Sequence, residues 1–521
     1  MKKNKKSKLF AEVISDIYIS VMLVVFPLFF GANGYVDITQ VKYRFFLWTS
    51  LIYIALLIIG SLEAVLVGNE KLSDLGARFK SAGPVQYLMI TYLVFCSVSA
   101  VLSEFGVATL NGLGRNEGLY TTALYVGVFL LLSFFGRPKR WCLIPVGVVI
   151  VLNSVIGFLQ YAGFNPFTLF PAGYTYHDAF IKYASAFMGT LGNVDLLSAY
   201  LSLSVTLFVI YLIVSDHKYS ALSLLPVFFG VFTLLLCGVS AGILGAILAI
   251  FLTIPLTLSK RKQFLRGLIC GSVCFFAAAL YFGLSATYIN GITNLHFSLG
   301  TRCIACFILS VLTLILRFFF GKSHVVFFKK RRTAIRFLSC IVVLCIVLGV
   351  ALLYFLPFES GTIGEIHGVL NGKIDDKIGS GRIAIWRECL KLIPGHLLFG
   401  GGPDTLAERI NYVFTRYSNE LGMTIESHID NAHNDYLNIL VNTGVLSLIA
   451  YIASLGLLGI KAIKRSGRSS VLILGTAALA YCIQVFFSFS ICIVAPFFWI
   501  CLGLLCSELN SKSVEVEVIK N

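Results

Sequence analysis

The feature that most constrains this chain is its succession of apolar runs, each long enough to cross a bilayer. They fall at about 10–31, 43–67, 85–103, 119–135, 141–161 and 191–214, then twice within 221–259, then at 268–288, 301–319 and 337–357, and finally at 436–460, 471–490 and 491–507. About 20 apolar residues in a helix match the hydrocarbon thickness. Short basic segments alternate with these runs: Met1–Lys8 with its five lysines, Lys71/Arg78/Lys80, Arg137-Pro-Lys-Arg140, Lys260-Arg-Lys262, Lys329-Lys-Arg-Arg332 and Lys461–Arg468. With about fourteen spans every basic cluster falls on one side, as the positive-inside rule requires, and both termini are then cytoplasmic.

The expected fold class is all-α: a polytopic integral membrane bundle of about fourteen transmembrane helices with one long extracytoplasmic loop. Residues 1–357 supply helices 1–11, 358–435 the loop with short amphipathic helices, 436–507 helices 12–14, and 508–521 a cytoplasmic tail. Composition agrees, with 58% hydrophobic and 13% charged residues, where soluble domains carry about a quarter charged. The net charge of +16 does not indicate nucleic acid, because the cations sit between apolar runs and not on one domain. The 14 cysteines lie nearly all inside apolar runs, where thiols act as small hydrophobes, and none shows a zinc spacing. The N-terminus has no convincing small-residue cleavage site, so it reads as a retained helix.

The polar inventory gathers in the loop. It holds His367, His396, His428 and His433 with Arg382, Arg387, Arg409 and Arg416. His433 immediately precedes the helix that re-enters the membrane, and Asn434 or Asp435 can cap that helix. Its imidazole is either a proton carrier near neutral pH or a residue that closes a loop. Ser380–Ile393 reads as a short helix, with Ser380 able to cap it and Pro394-Gly395 stopping it. Arg382, Trp386, Cys389 and Ile393 share one face. Arg382 is either held over a site or snorkels to the headgroups. Phe399-Gly-Gly-Gly402-Pro-Asp404 lacks the Lys-Ser/Thr of a nucleotide loop and fits a tight turn equally well. Arginines with one histidine suit a lipid-linked diphosphate: arginine binds phosphate oxygens with two donors, and a histidine can activate a sugar hydroxyl.

Several short motifs resemble the O-antigen ligase and Wzy-type polymerase superfamily. They are Gly189-Thr-Leu-Gly-Asn193, Gly379-Ser-Gly-Arg382-x3-Trp386, Gly400-Gly-Gly-Pro-Asp404, Ala432-His-Asn-Asp-Tyr-Leu437 with Thr443-Gly444, and Gln484-x-Phe-Phe487-x-Phe-Ser490 with Pro496-x-Phe-Trp499. Arg115-Asn-Glu-Gly118 looks like an element of the Gram-positive branch. The resemblance implies a GT-C-like transferase at the outer face of the cytoplasmic membrane. It would use an undecaprenyl-diphosphate-linked glycan donor and a glycan, lipid or protein acceptor, with no metal or cofactor. It implies His433 as the acceptor base and Arg382 on the diphosphate. Arg115, Arg302, Arg387, Asn434, Asp435, Tyr436, Trp386 and Asn193 are the candidate substrate-binding residues. One departure stands out: where the family often has Ser-Arg-Gly, this chain has Ser240-Ala241-Gly242. Arg115 or Arg302, both expected at outer helix ends, could substitute for the missing cation; otherwise the donor is held differently or activity is lost. Competing readings are a multi-helix transporter, which should bury charges at mid-membrane, and a non-catalytic glycan-binding relative.

Overall fold

The computed structural model describes residues 2–67, 82–170, 189–289, 292–322, 330–358, 361–376, 378–379, 381–418 and 423–511. The apolar runs fold as helices because a lipid-facing backbone can satisfy its N–H and C=O groups only within its own segment. α1 (Lys2–Ser20) continues through a π-helical turn, Val21–Val25, and a last turn, Phe26–Leu28. There follow α2 (Ile38–Leu66), α3 (Pro84–Leu102), α4 (Leu119–Phe135), α5 (Leu143–Tyr161), α6 (Val194–Val214), α7 (Leu224–Leu236) and α8 (Ser240–Thr257). Next come α9 (Arg261–Gly283), α10 (Thr301–Lys322) and α11 (Arg331–Phe355). The connection from α11 carries α12 (Gly361–Leu370) and α13 (Arg382–Lys391), and the chain closes with α14 (Asp435–Lys464), α15 (Ser469–Gln484) and α16 (Ala495–Asn510). Among the described residues, 11 helices are long and apolar enough to cross a membrane, and α4, α15 and α16 are shorter apolar helices. This is a polytopic helical membrane protein.

Two antiparallel hairpins were not foreseen. β1 (Leu284–Ile289) pairs with β2 (Ile292–Phe297) between α9 and α10. β3 (Val413–Ser418) pairs with β4 (Met423–His428) in the long connection before α14. A second difference concerns the last spans: α15 stops at Gln484 and α16 starts at Ala495, so 485–494 is an irregular turn and not helix. Part of the aromatic loop at 162–190, Ser380 and the tail from 512 onward lie outside the described residues.

Burial ranks the helices. In α6 94% of the span window is buried, against 6% in α11, so α6 is the axis and α9–α11 form a flank. Small residues let α8 and α15 close on α6. A Cβ on Gly242 would meet Ser198 Oγ at 2.1 Å, and one on Gly245 would meet Ser202 Oγ at 2.8 Å. Ala241, next to Gly242, is 3% exposed. Position 241, where the resemblance leads to the expectation of an arginine, is a buried alanine.

The bundle has two chemically distinct ends. At one, Arg137 faces Glu12 at 3.9 Å, Lys139 faces Asp16 at 3.5 Å, Arg468 faces Glu508 at 3.6 Å, and Arg266 donates to the Ser215 carbonyl. The long connection, the turn 112–118 and the turn 485–494 converge at the other.

Candidate functional site

At the loop-bearing end, the site begins with a break in α14. Gly444 leaves helical geometry at φ 86°, which frees carbonyls before it and N–H groups after it. The glycine-rich segment fills the break. Gly401 and Gly402 N–H groups donate to Val441 and Asn442 carbonyls at 3.2 and 2.8 Å. Val445 N–H donates to the Leu397 carbonyl at 2.9 Å, and Arg409 Nη2 donates to the Val441 carbonyl at 2.9 Å. Every freed group named here has a partner, as buried backbone demands. Glycine is needed on both sides: a Cβ on Gly400 would lie 2.3 Å from the Asn442 carbonyl, and one on Gly444 2.2 Å from that of Leu398. These glycines form a wedge that fixes where the loop meets the membrane helix.

Asp404 follows the wedge and carries it to another motif. Its carboxylate Oδ2 accepts from the backbone N–H groups of Gly114, Arg115 and Glu117 at 3.1, 2.9 and 3.1 Å. The turn between α3 and α4 is thereby tied to the long connection. Burial pushes the Asp404 carboxyl up, while those three N–H groups pull it back. The Arg115 side chain then grips Asp430 with two bonds, Nε to Oδ2 at 2.7 Å and Nη2 to Oδ1 at 3.0 Å. Its guanidinium also stands 4.3 Å from the centre of the Phe489 ring.

His433 meets that same ring edge-on, 5.3 Å between centres. Its backbone is held in the left-handed region at φ 49°, with its N–H donated to Asn431 Oδ1 at 2.9 Å. Trp386 Nε1 on α13 clasps the preceding carbonyl, that of Ala432, at 3.0 Å. Strained non-glycine backbone marks functional sites often enough to be noted. Three of the five such residues described, Asn116, Asp404 and His433, are in this assembly. Burial first, then the charges of Arg382 and Arg115, push the His433 imidazole down to about 4, against a smaller opposing pull from Asp430. The two arginines and the histidine therefore share one electrostatic environment. Arg382 gives Nη1 to the Gly379 carbonyl at 2.7 Å, while its buried Nε has no partner among the described residues.

The remaining candidates divide. Asn434 caps α14, its side chain accepting from Leu437 N–H at 3.1 Å. Asp435 donates its N–H to the Val485 carbonyl at 2.9 Å. Its side chain lines a polar cavity of about 70 Å³ with Glu117, Asp404 and Tyr125, room for a few waters but not a sugar ring. Tyr436 donates to the Cys482 carbonyl at 2.9 Å. Asn193 caps α6 through Asp195 N–H at 2.7 Å, and Asp195 feels the charges of Arg382 and Arg115. Two arginines stand in contacts of their own. Arg387 pairs with Asp376 at 2.7 Å, and Arg302 is exposed, 5.9 Å from the Phe282 ring centre. Sequence reasoning did not single out Asp404, Asp430, Glu117 or Phe489 as site residues. Three of them sat inside motifs it quoted, but Asp404 meets Gly114 and Glu117 across 290 and 287 residues, and Phe489 meets Arg115 from the far end of the chain.

The comparison with known families falls on this assembly. Residues 297–452 match the model of the O-antigen ligase family. The matched stretch runs from the end of β2 through α10, α11 and the long connection into α14 past Gly444. It therefore holds Arg382, Trp386, the glycine wedge and His433. Arg115, Glu117 and Phe489 lie outside it. The match supports a membrane-embedded glycan ligase or polymerase. No curated protein matches the chain.

Proposed function

We propose that this chain transfers a glycan from a lipid-linked diphosphate donor, of the undecaprenyl class, to an acceptor at the outer face of the plasma membrane. The observation that carries the reading is the place of His433 at the mouth of α14, on the Phe489 ring that Arg115 also meets and in the field of Arg382. An imidazole unprotonated at pH 7 can take the proton of an acceptor hydroxyl. The two guanidiniums suit the diphosphate, whose negative charge grows as the glycosidic bond breaks. Arg382 has a donor, Nε, that is unpaired among the described residues, and Arg115 would supply the second cation in place of the family arginine absent at Ala241. Binding of an anionic donor between them would offset their charge and raise the basicity of His433, so the base strengthens when the donor is seated. Trp386 and Asp404 position the two cations and the histidine. Both termini lie on the cytoplasmic side in this reading, and the chemistry needs no metal.

The test is turnover of a lipid-diphosphate oligosaccharide by the purified protein in detergent. A product ladder supports polymerisation, and a single transfer to a non-glycan acceptor supports ligation. Turnover undiminished by EDTA is expected, and loss with EDTA that a divalent ion restores contradicts the metal-free part.

A further inference from the structure

The basic end of the bundle holds a cavity of about 430 Å³ that shares no lining residue with the site above. It is long and narrow. On α6 it is lined by Tyr200, Leu203, Ser204, Leu207 and Tyr211, one helix face over 11 residues, or about 16 Å at 1.5 Å per residue, and Ser215 follows just past the end of the helix. The facing wall is Leu474 on α15 and Phe497, Ile500 and Leu504 on α16. Its mouth carries Arg137, Lys139 and Arg140. The first two are compensated by Glu12 and Asp16. The acids at the mouth are also matched, Asp216 by Lys262 and Arg266 and Glu508 by Arg468. Arg140 is exposed and has no ion pair among the described residues. A second apolar groove of about 570 Å³ lies beside the first and shares Arg140, Leu143 and Tyr211 with it. Exposed Trp141 and Tyr219 stand on its rim, the residue types that settle at headgroup level.

Two apolar cavities thus diverge from one uncompensated cation at the membrane interface. We propose that they hold one anionic diacyl glycerophospholipid of the leaflet at the basic end, its phosphate on Arg140 and one acyl chain in each cavity. An apolar occupant alone would gain little, because bilayer lipid is as apolar as the cavity walls. Preference must then come from the head charge and from the two-branched shape. Basic pockets between transmembrane helices select anionic headgroups on this principle.

The test is native mass spectrometry of the full chain in detergent, with phosphatidylglycerol and phosphatidylcholine of identical chains supplied together. Phosphatidylglycerol should be retained about fivefold over phosphatidylcholine, the worth of one interfacial cation. Arg140→Ala should abolish that preference, Arg140→Lys should keep part of it, and exposed Lys391→Ala should leave it intact. Single-chain lysophosphatidylglycerol should bind more weakly than the diacyl form. Equal retention of the two headgroups, or a preference that survives Arg140→Ala, overturns the site. Displacement by glycerol phosphate alone overturns the acyl component, and stronger displacement by a polyprenyl phosphate overturns the phospholipid as occupant.

Discussion

An imidazole with a pKa near 4 stays unprotonated across neutral pH, so His433 is available as a base without an acidic partner. Activity that needs neutral His433 should fall as pH drops through about 4 in kcat/KM for the free enzyme, not through 6.5, and the pH–rate profile measures it. Arg115→Gln or Arg382→Gln removes one repelling charge, so the acid limb should move up. Losing a charged hydrogen bond worth about 1.5–3 kcal/mol should also cut kcat/KM roughly 10- to 100-fold. Arg382→Lys keeps the charge but not the planar fork, and should fall between. Folding is linked to the same group. The unfolded imidazole takes a proton below about 6.5 and the folded one resists to about 4, so protonation favours the unfolded chain in that window. Thermal stability should drop from pH 6.5 to 4, and His433→Gln should flatten the slope. A slope unchanged in His433→Gln contradicts the neutral imidazole. The Asn434 cap and the place of His433 were readable from local rules. The grip of Arg115 on Asp430 joins residues 315 apart, and no local rule reaches that far.

The wedge in α14 is the element on which the site depends. Gly444→Ala puts a Cβ 2.2 Å from the Leu398 carbonyl at a left-handed φ, a steric and backbone fault together. It should cost about 2–4 kcal/mol and remove activity with stability in the same thermal melt and turnover assay. Gly456→Ala on the same helix meets nothing within 4 Å and should be neutral or stabilising by up to about 1 kcal/mol. Equal effects of the two substitutions contradict the wedge. Helices were legible because apolar length leaves few alternatives in lipid. The function of Gly400-Gly-Gly402 was not, since a phosphate loop, a turn and a wedge all ask for glycine. The β3–β4 hairpin had a cue in its runs of Val, Thr, Tyr and Ile residues, which the polar character of the loop obscured. The turn 485–494 reads as helix in the sequence because its residues are as apolar as a span, yet it delivers Phe489 to His433 and Arg115.

Over the whole molecule, the division into a basic end and a loop-bearing end sets where chemistry can occur. If the termini are cytoplasmic, as proposed, protease added outside intact spheroplasts should cut the exposed segment Asn371–Asp376 and spare Arg137–Arg140 and Arg261–Arg266. The opposite pattern would invert the topology and move the proposed transfer to the cytoplasm. In the proposed reaction His433 does chemistry at the outer mouth of α14. Its most direct test follows product length on a gel, with the chain's own lipid-diphosphate glycan as donor, for the native protein and for His433→Gln matched in folded amount by thermal melt. Extended or transferred glycan is expected from the native protein, and at least about a hundredfold less from the variant. Product formed at the native rate by His433→Gln would contradict that chemistry and leave His433 as a residue that shapes the loop.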